Sequence, residues 1–263
     1  MIAISDNVQI RNDGPCGTIV LNRPDCRNAI SREMVAMIDQ ALQDFYAERK
    51  IRAIVLTGTG ETFCSGTDLY QIQETSEKKN ALEVWHEESQ AFLSLIEKML
   101  RYPKPIIASV NGWAVGSGVS LMLASDIVIG GRCASILFPE ALRGLSAGIA
   151  TPLLSFRLGT GMASGILYSG KALNSDEACS MGLFHEVVDD DLVWARSFEL
   201  AHQCAAGARE SHQLTKQMIN ETIGENLFTQ LSIGAANMAA ARTTDAAKEG
   251  VAAFLEKREP VWD

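Results

Sequence analysis

Positive charge is scarce in this chain: 23 lysines and arginines stand against 32 aspartates and glutamates, a formal net charge of -9 over 263 residues. A surface of that average sign repels nucleic acid and anionic membranes, so neither is an expected partner. Any phosphate group must instead meet a local cluster of basic residues. No two of the six cysteines (Cys16, Cys26, Cys64, Cys133, Cys179 and Cys204) form a C-x-x-C pair, and His86, His185, His202 and His212 lack metal-ligand spacing. No metal is therefore expected, and scattered thiols suit a reducing, cytoplasmic setting. The stretch from Met1 to Asn12 lacks a basic segment followed by an apolar one, which argues against a secretory signal. Long apolar runs are missing too. The most hydrophobic region, Ile106 to Gly131, is interrupted by Asn111, Asp126 and several glycines, poor material for a membrane span. Neither a fixed-period repeat nor a low-complexity linker divides the chain.

What is present is a hydrophobic content of 47%, enough for one large core. Short β-branched runs at Thr18–Leu21, Ala53–Leu56, Ile106–Val110 and Asp126–Ile129 are bounded by Gly, Pro, Asn or Asp and read as buried strands. Met34, Met37, Ile38, Ala41, Leu42 and Phe45 recur at helical spacing behind Ser31, a good N-cap. A second helix carries Trp85, Phe92, Leu93, Ile96, Met99 and Leu100 and must stop before Pro103. Strand and helix alternate, the α/β signature. Beyond about Gly159 the texture turns helical, through Leu192–Ala205, Ser211–Ile223 and Leu227–Ala241 among others.

Two glycine-containing loops follow strands: Thr57–Asp68 (TGTGETFCSGTD) and Asn111–Gly118 (NGWAVGSG). In the second, small residues lead into a helical pattern at Val119–Ser125, so free N–H groups near the helix start suit an anionic oxygen. Read alone, each loop is equally a tight turn, and neither is a Walker A sequence.

Taken together, five segments resemble the enoyl-CoA hydratase/isomerase, or crotonase, family in order and spacing: Ile19–Ser31, Arg52–Leu69, Lys104–Asp126, Phe138–Ser146 and Glu249–Trp262. The resemblance implies a crotonase-like spiral of ββα units over residues 1–200 and a helical C-terminal oligomerisation region over 201–263. It also implies a homotrimer or hexamer. Apolar Leu227, Leu231, Ile233 and Met238 are expected to exceed what one core consumes. The implied substrate is an acyl-CoA thioester, with coenzyme A as part of that substrate and no cofactor required.

Carried over residue by residue, the resemblance puts an oxyanion hole at the backbone N–H groups of Thr67 and Ser117. Hydratases of the family carry a Glu after the second loop and another after the following strand. Here the first position matches Ser120 and the second Glu140. A lone carboxylate at Glu140 is the arrangement of some 3,2-enoyl-CoA isomerases, where it shuttles a proton. Hydroxycinnamoyl-CoA hydratase-lyases look similar at both positions, so hydration stays open, with Ser120 a further catalytic candidate. Around Leu145–Ile149 no Asp stands where dienoyl isomerases place one. The resemblance sets Arg27 near the coenzyme A phosphates and Ser65, Gly66, Asp68 and Leu69 along the adenine pocket. Lys257 and Arg258 add positive charge or are ordinary surface residues.

Two other readings compete. Gly144-Leu145-Ser146-Ala147-Gly148 matches G-x-S-x-G, with Asp189–Asp191 and His202 or His212 in suitable order for a serine hydrolase, yet Pro139–Arg143 precedes it where a strand is needed. A non-catalytic acyl-CoA-binding protein is the other, kept alive by Ser120.

Overall fold

The computed structural model describes residues 7–262; residues 1–6, half of the stretch read as lacking a signal, lie outside the described residues. In chain order the elements are β1 (Val8–Asp13), β2 (Cys16–Leu21), α1 (Arg32–Ala47), β3 (Ala53–Gly58), β4 (Thr62–Cys64), α2 (Leu69–Ser76) and α3 (Ala81–Arg101). Then come β5 (Ile106–Val110), β6 (Trp113–Val115), α4 (Ser117–Leu123), β7 (Ile127–Gly131), β8 (Ser135–Leu137), α5 (Ala150–Leu158) and α6 (Thr160–Ser169). The chain closes with β9 (Leu173–Asn174), α7 (Ser175–Ser180), β10 (Glu186–Val188), α8 (Val193–Ala205), α9 (Arg209–Gln217), α10 (Leu227–Ala241) and α11 (Asp245–Glu256).

Two sheets form, a six-stranded one ordered β1-β2-β3-β5-β7-β10 and a four-stranded one ordered β4-β6-β8-β9. Each successive unit sends its first strand (β3, β5, β7) to the large sheet and its second (β4, β6, β8) to the small one, which is the expected spiral of ββα units. Pairing is parallel from β2 through β3, β5 and β7 to β10. That explains why these strands read as unbroken apolar runs: helices cover both faces, so nothing selects alternation. The second strands are a correction to the reading of Thr57–Asp68 and Asn111–Gly118 as loops throughout, because β4 and β6 run inside them. Three residues are too few to show a period.

Local chemistry sets the helix ends. Ser31 Oγ accepts the Met34 N–H at 3.2 Å, and α1 then buries Met34, Ile38, Ala41, Leu42 and Phe45. Its far end is capped from outside, since Lys104 Nζ donates to the carbonyls of Phe45, Tyr46 and Glu48. A cation there also suits the negative end of the helix dipole. The C-terminal helices do not stand apart. Leu227 and Leu231 lie in the main core, which corrects the expectation that they exceed it; Ile233 remains 57% exposed, and Met238 packs at the core's edge. No helix among the described residues is long and apolar enough to cross a membrane.

Candidate active site

The site begins with a turn that only a particular backbone permits. Arg27 and Asn28 both have positive φ, 55° and 56°. Asn28 is fully buried and spends its amide on the neighbouring loop, donating to Thr59 O at 2.9 Å and Thr62 O at 2.7 Å and accepting from Arg23 N at 2.8 Å. Asparagine tolerates this left-handed conformation better than most residues. Below it the two segments zip together: Ser65 N donates to Arg27 O, Ile30 N to Gly66 O and Asp68 N to Ile30 O. Those bonds fix the peptide planes on either side of Thr67.

The second loop is pressed against the first. Thr67 Oγ1 and Ser117 Oγ share a hydrogen bond of 2.8 Å. A Cβ at Gly66, where φ is +89°, would come within 2.7 Å of Val115 O, so only glycine allows this approach. Neither the Thr67 N–H nor the Ser117 N–H has an acceptor among the described residues. Two adjacent unspent donors on fixed backbone are the arrangement that stabilises a developing oxyanion.

Glu140 faces them. It follows β8, and a Cβ at Gly116 (φ +53°) would come within 2.7 Å of Glu140 Oε1, so the carboxyl lies directly over the loop that carries Ser117. Its Oε2 is buried without a partner. Burial pushes the carboxyl up to about 7, only partly opposed by its own backbone N–H and by the Arg143 guanidinium. A carboxyl poised there accepts and returns a proton near neutral pH. Thr67, Ser117 and Glu140 line one cavity of about 50 Å³ with Ser65, Gly66 and Leu69. Among the described residues Glu140 is the only carboxyl lining it.

Of the other expected residues, Ser65 and Ser146 line the cavity and the rest fall elsewhere. Ser120 is buried on α4 and does not line this cavity. Asp68 is occupied as the cap of α2, accepting from Tyr70 N at 3.2 Å, and pairs with Arg23 at 2.9 Å. Ser65 Oγ donates to Cys26 O at 3.2 Å. Arg27 is exposed. Lys257 is exposed at the end of α11 with φ +57°, while Arg258 is committed to Glu249 and Glu256. Cys64 is a buried thiol pushed up to about 12 by its burial, hence unreactive. Ser146 lines the cavity, but no histidine does; His212 bonds Cys204 O and His202 packs on Phe198, so no hydrolase triad is assembled. No cluster suited to a metal occurs among the described residues.

Ile72, Arg143 and Arg242 line the cavity although the sequence did not mark them as site residues, and Met238 lines it although the sequence marked it only as a surplus apolar residue. Arg143 stands three positions after Glu140 and its guanidinium lies 4.0 Å from the Phe254 ring centre, so its spacing was a usable signal. Arg242, at the end of α10, sits outside every recognisable motif.

A family model described as enoyl-CoA hydratase/isomerase matches residues 13–263. The 1,2-epoxyphenylacetyl-CoA isomerase of Escherichia coli (strain K12) is 32% identical over 244 residues, covering 92% of this chain and 93% of the relative. A short-chain-enoyl-CoA hydratase of Clostridium acetobutylicum is 28% identical, covering 97% and 96%. The crystal structure of an enoyl-CoA hydratase/isomerase from Pseudoalteromonas atlantica T6c superposes with a TM-score of 0.84 at 29% identity, covering 98% of this chain and 100% of the other.

Proposed function

The chain belongs to the enoyl-CoA hydratase/isomerase family, and from that premise we propose that it moves a double bond along an enoyl-CoA by a one-carboxyl proton shuttle. The thioester oxygen sits between the N–H groups of Thr67 and Ser117. Glu140, as carboxylate, takes a proton from the carbon next to the thioester; the electron pair delocalises onto that oxygen and is held by the two donors. Glu140, now an acid, returns the proton to the far end of the delocalised system, and the carboxylate is regenerated. No water is consumed. The observation that carries the reading is that a single carboxyl faces the two free N–H groups, with Ser120, at the position of the first acid in hydratases, outside the cavity.

Hydration is the second reading, supported by relatives named as hydratases. Incubation with 3-hexenoyl-CoA separates the two. Conversion to 2-hexenoyl-CoA without accumulation of a 3-hydroxyacyl thioester is expected; rapid formation of the hydroxy product contradicts the one-carboxyl shuttle.

The coenzyme A moiety is proposed to pass Ser65, Gly66 and Leu69, with Arg27, exposed nearby, reaching its phosphates. A trimer or hexamer is proposed as well, because Tyr168, Ile223 and Ile233 are 82%, 72% and 57% exposed on the C-terminal half. Light scattering checks this, and a monomeric mass at micromolar concentration contradicts it.

A further inference from the structure

A second, larger cavity of about 250 Å³ adjoins the first and shares Thr67, Ser117, Met238 and Arg242 with it. Its walls are largely apolar, with Ile30, Val35, Val84 and Phe92 among them. Set into those walls is an ion triad. Glu88 accepts from Arg32 Nε through one oxygen and from Arg242 Nη1, at 2.8 Å, through the other. Arg32 is further held by the Thr75 hydroxyl.

Arg242 is the unusual member. It is only 6% exposed, yet the bond to Glu88 is the only one it donates among the described residues, so Nε and Nη2 have no protein acceptor. Ser89, which lines the same cavity, has a buried hydroxyl that is also unpartnered. The spare donors are not sealed inside protein, so their acceptors come from whatever occupies the cavity that Arg242 lines, water or a polar ligand group. The charge points the same way, since the buried Arg242 guanidinium and the half-buried Arg32 guanidinium share one carboxylate. Asp68 is neutralised by Arg23, and Glu87, which also lines the cavity, is exposed, where solvent weakens its field.

We propose that the preferred substrate is an acyl-CoA whose acyl chain carries its own carboxylate, received in this second cavity by the free edge of Arg242. The apolar walls hold the intervening carbons, and the planar guanidinium edge matches a carboxylate. Arg242 lines both cavities, as do Thr67 and Ser117, so a chain held at the Thr67–Ser117 position and entering the larger cavity shares a wall with it. This inference rests on the acyl-CoA reading above.

The test is calorimetric binding of two unreactive thioesters, glutaryl-CoA and valeryl-CoA, which share a chain and differ in the terminal carboxylate. Wild type is expected to bind glutaryl-CoA about 10- to 100-fold more tightly, the range for a charge-assisted pair. Arg242→Met should abolish that preference while keeping valeryl-CoA binding. Glu88→Gln, which removes the competing carboxylate and retains the shape, should keep the preference or enlarge it; it serves as the second variant if Arg242→Met fails to fold. Equal binding of the two thioesters by wild type, or parity in Glu88→Gln, overturns the proposal and leaves the acyl-CoA reading standing. Failure to bind either thioester, and acetyl-CoA as well, overturns both.

Discussion

Replacing Glu140 by glutamine removes one titration, and the size of that effect on stability follows from the burial of the carboxyl. In the unfolded chain the group releases its proton near 4.5; in the folded protein it holds it up to about 7. Between those values the unfolded state binds fewer protons, so folding loses free energy as pH rises. The stabilising share is complete below 4.5 and is lost as pH climbs through 7. At 1.36 kcal/mol per pKa unit, wild type should lose about 2 to 3 kcal/mol between pH 5 and pH 8 relative to Glu140→Gln. The comparison is made between slopes because the glutamine amide also meets an unpartnered environment at the position of Oε2, an offset that does not vary with pH. Urea unfolding of both proteins at closely spaced pH values, with equal m-values, measures it. Parallel stability profiles would refute the claim that Glu140 is a buried, reluctant acid.

Other perturbations test the scaffold and the substrate. Asn28→Ala removes four hydrogen bonds, the one from the Thr59 hydroxyl being long at 3.4 Å, at a position with φ 56° and should cost about 3 kcal/mol, read by the same unfolding assay; a change within about 0.5 kcal/mol, typical of an uninvolved surface site, would show that the turn does not depend on it. Acetyl-CoA should bind less tightly as salt rises, and Arg27→Ala should weaken binding and flatten that salt dependence in calorimetry. A salt-independent affinity would remove Arg27 from any phosphate site.

The parts of the fold that were legible in the sequence are those with enough residues to show a pattern. The buried strands β2, β3, β5 and β7, the Ser31 cap and the stop before Pro103 all rest on local physics that tertiary contacts did not override. β4, β6 and β8, three residues each, were illegible because they are held by partners distant in sequence rather than by their own composition. The same distinction runs through the site. Gly66 and Gly116 announce themselves as glycines, and Glu140 through the segment around it. Arg242 does not, because its meaning comes from Glu88, 154 positions away, and from the cavity the two share. Leu227 and Leu231 looked surplus to one core only because a helix's apolar stripe does not say which neighbour covers it.

The central claim is that one carboxyl, opposite two backbone donors, makes and unmakes a thioester enolate. Exchange of the proton next to the thioester of a bound acyl-CoA with deuterated water, followed by NMR, reports that step whatever the natural acyl group. Wild type should exchange it, and Glu140→Gln should exchange it about 10²- to 10⁴-fold more slowly with binding nearly unchanged, since the donors remain but the base is gone. Exchange at the wild-type rate in Glu140→Gln would contradict the account.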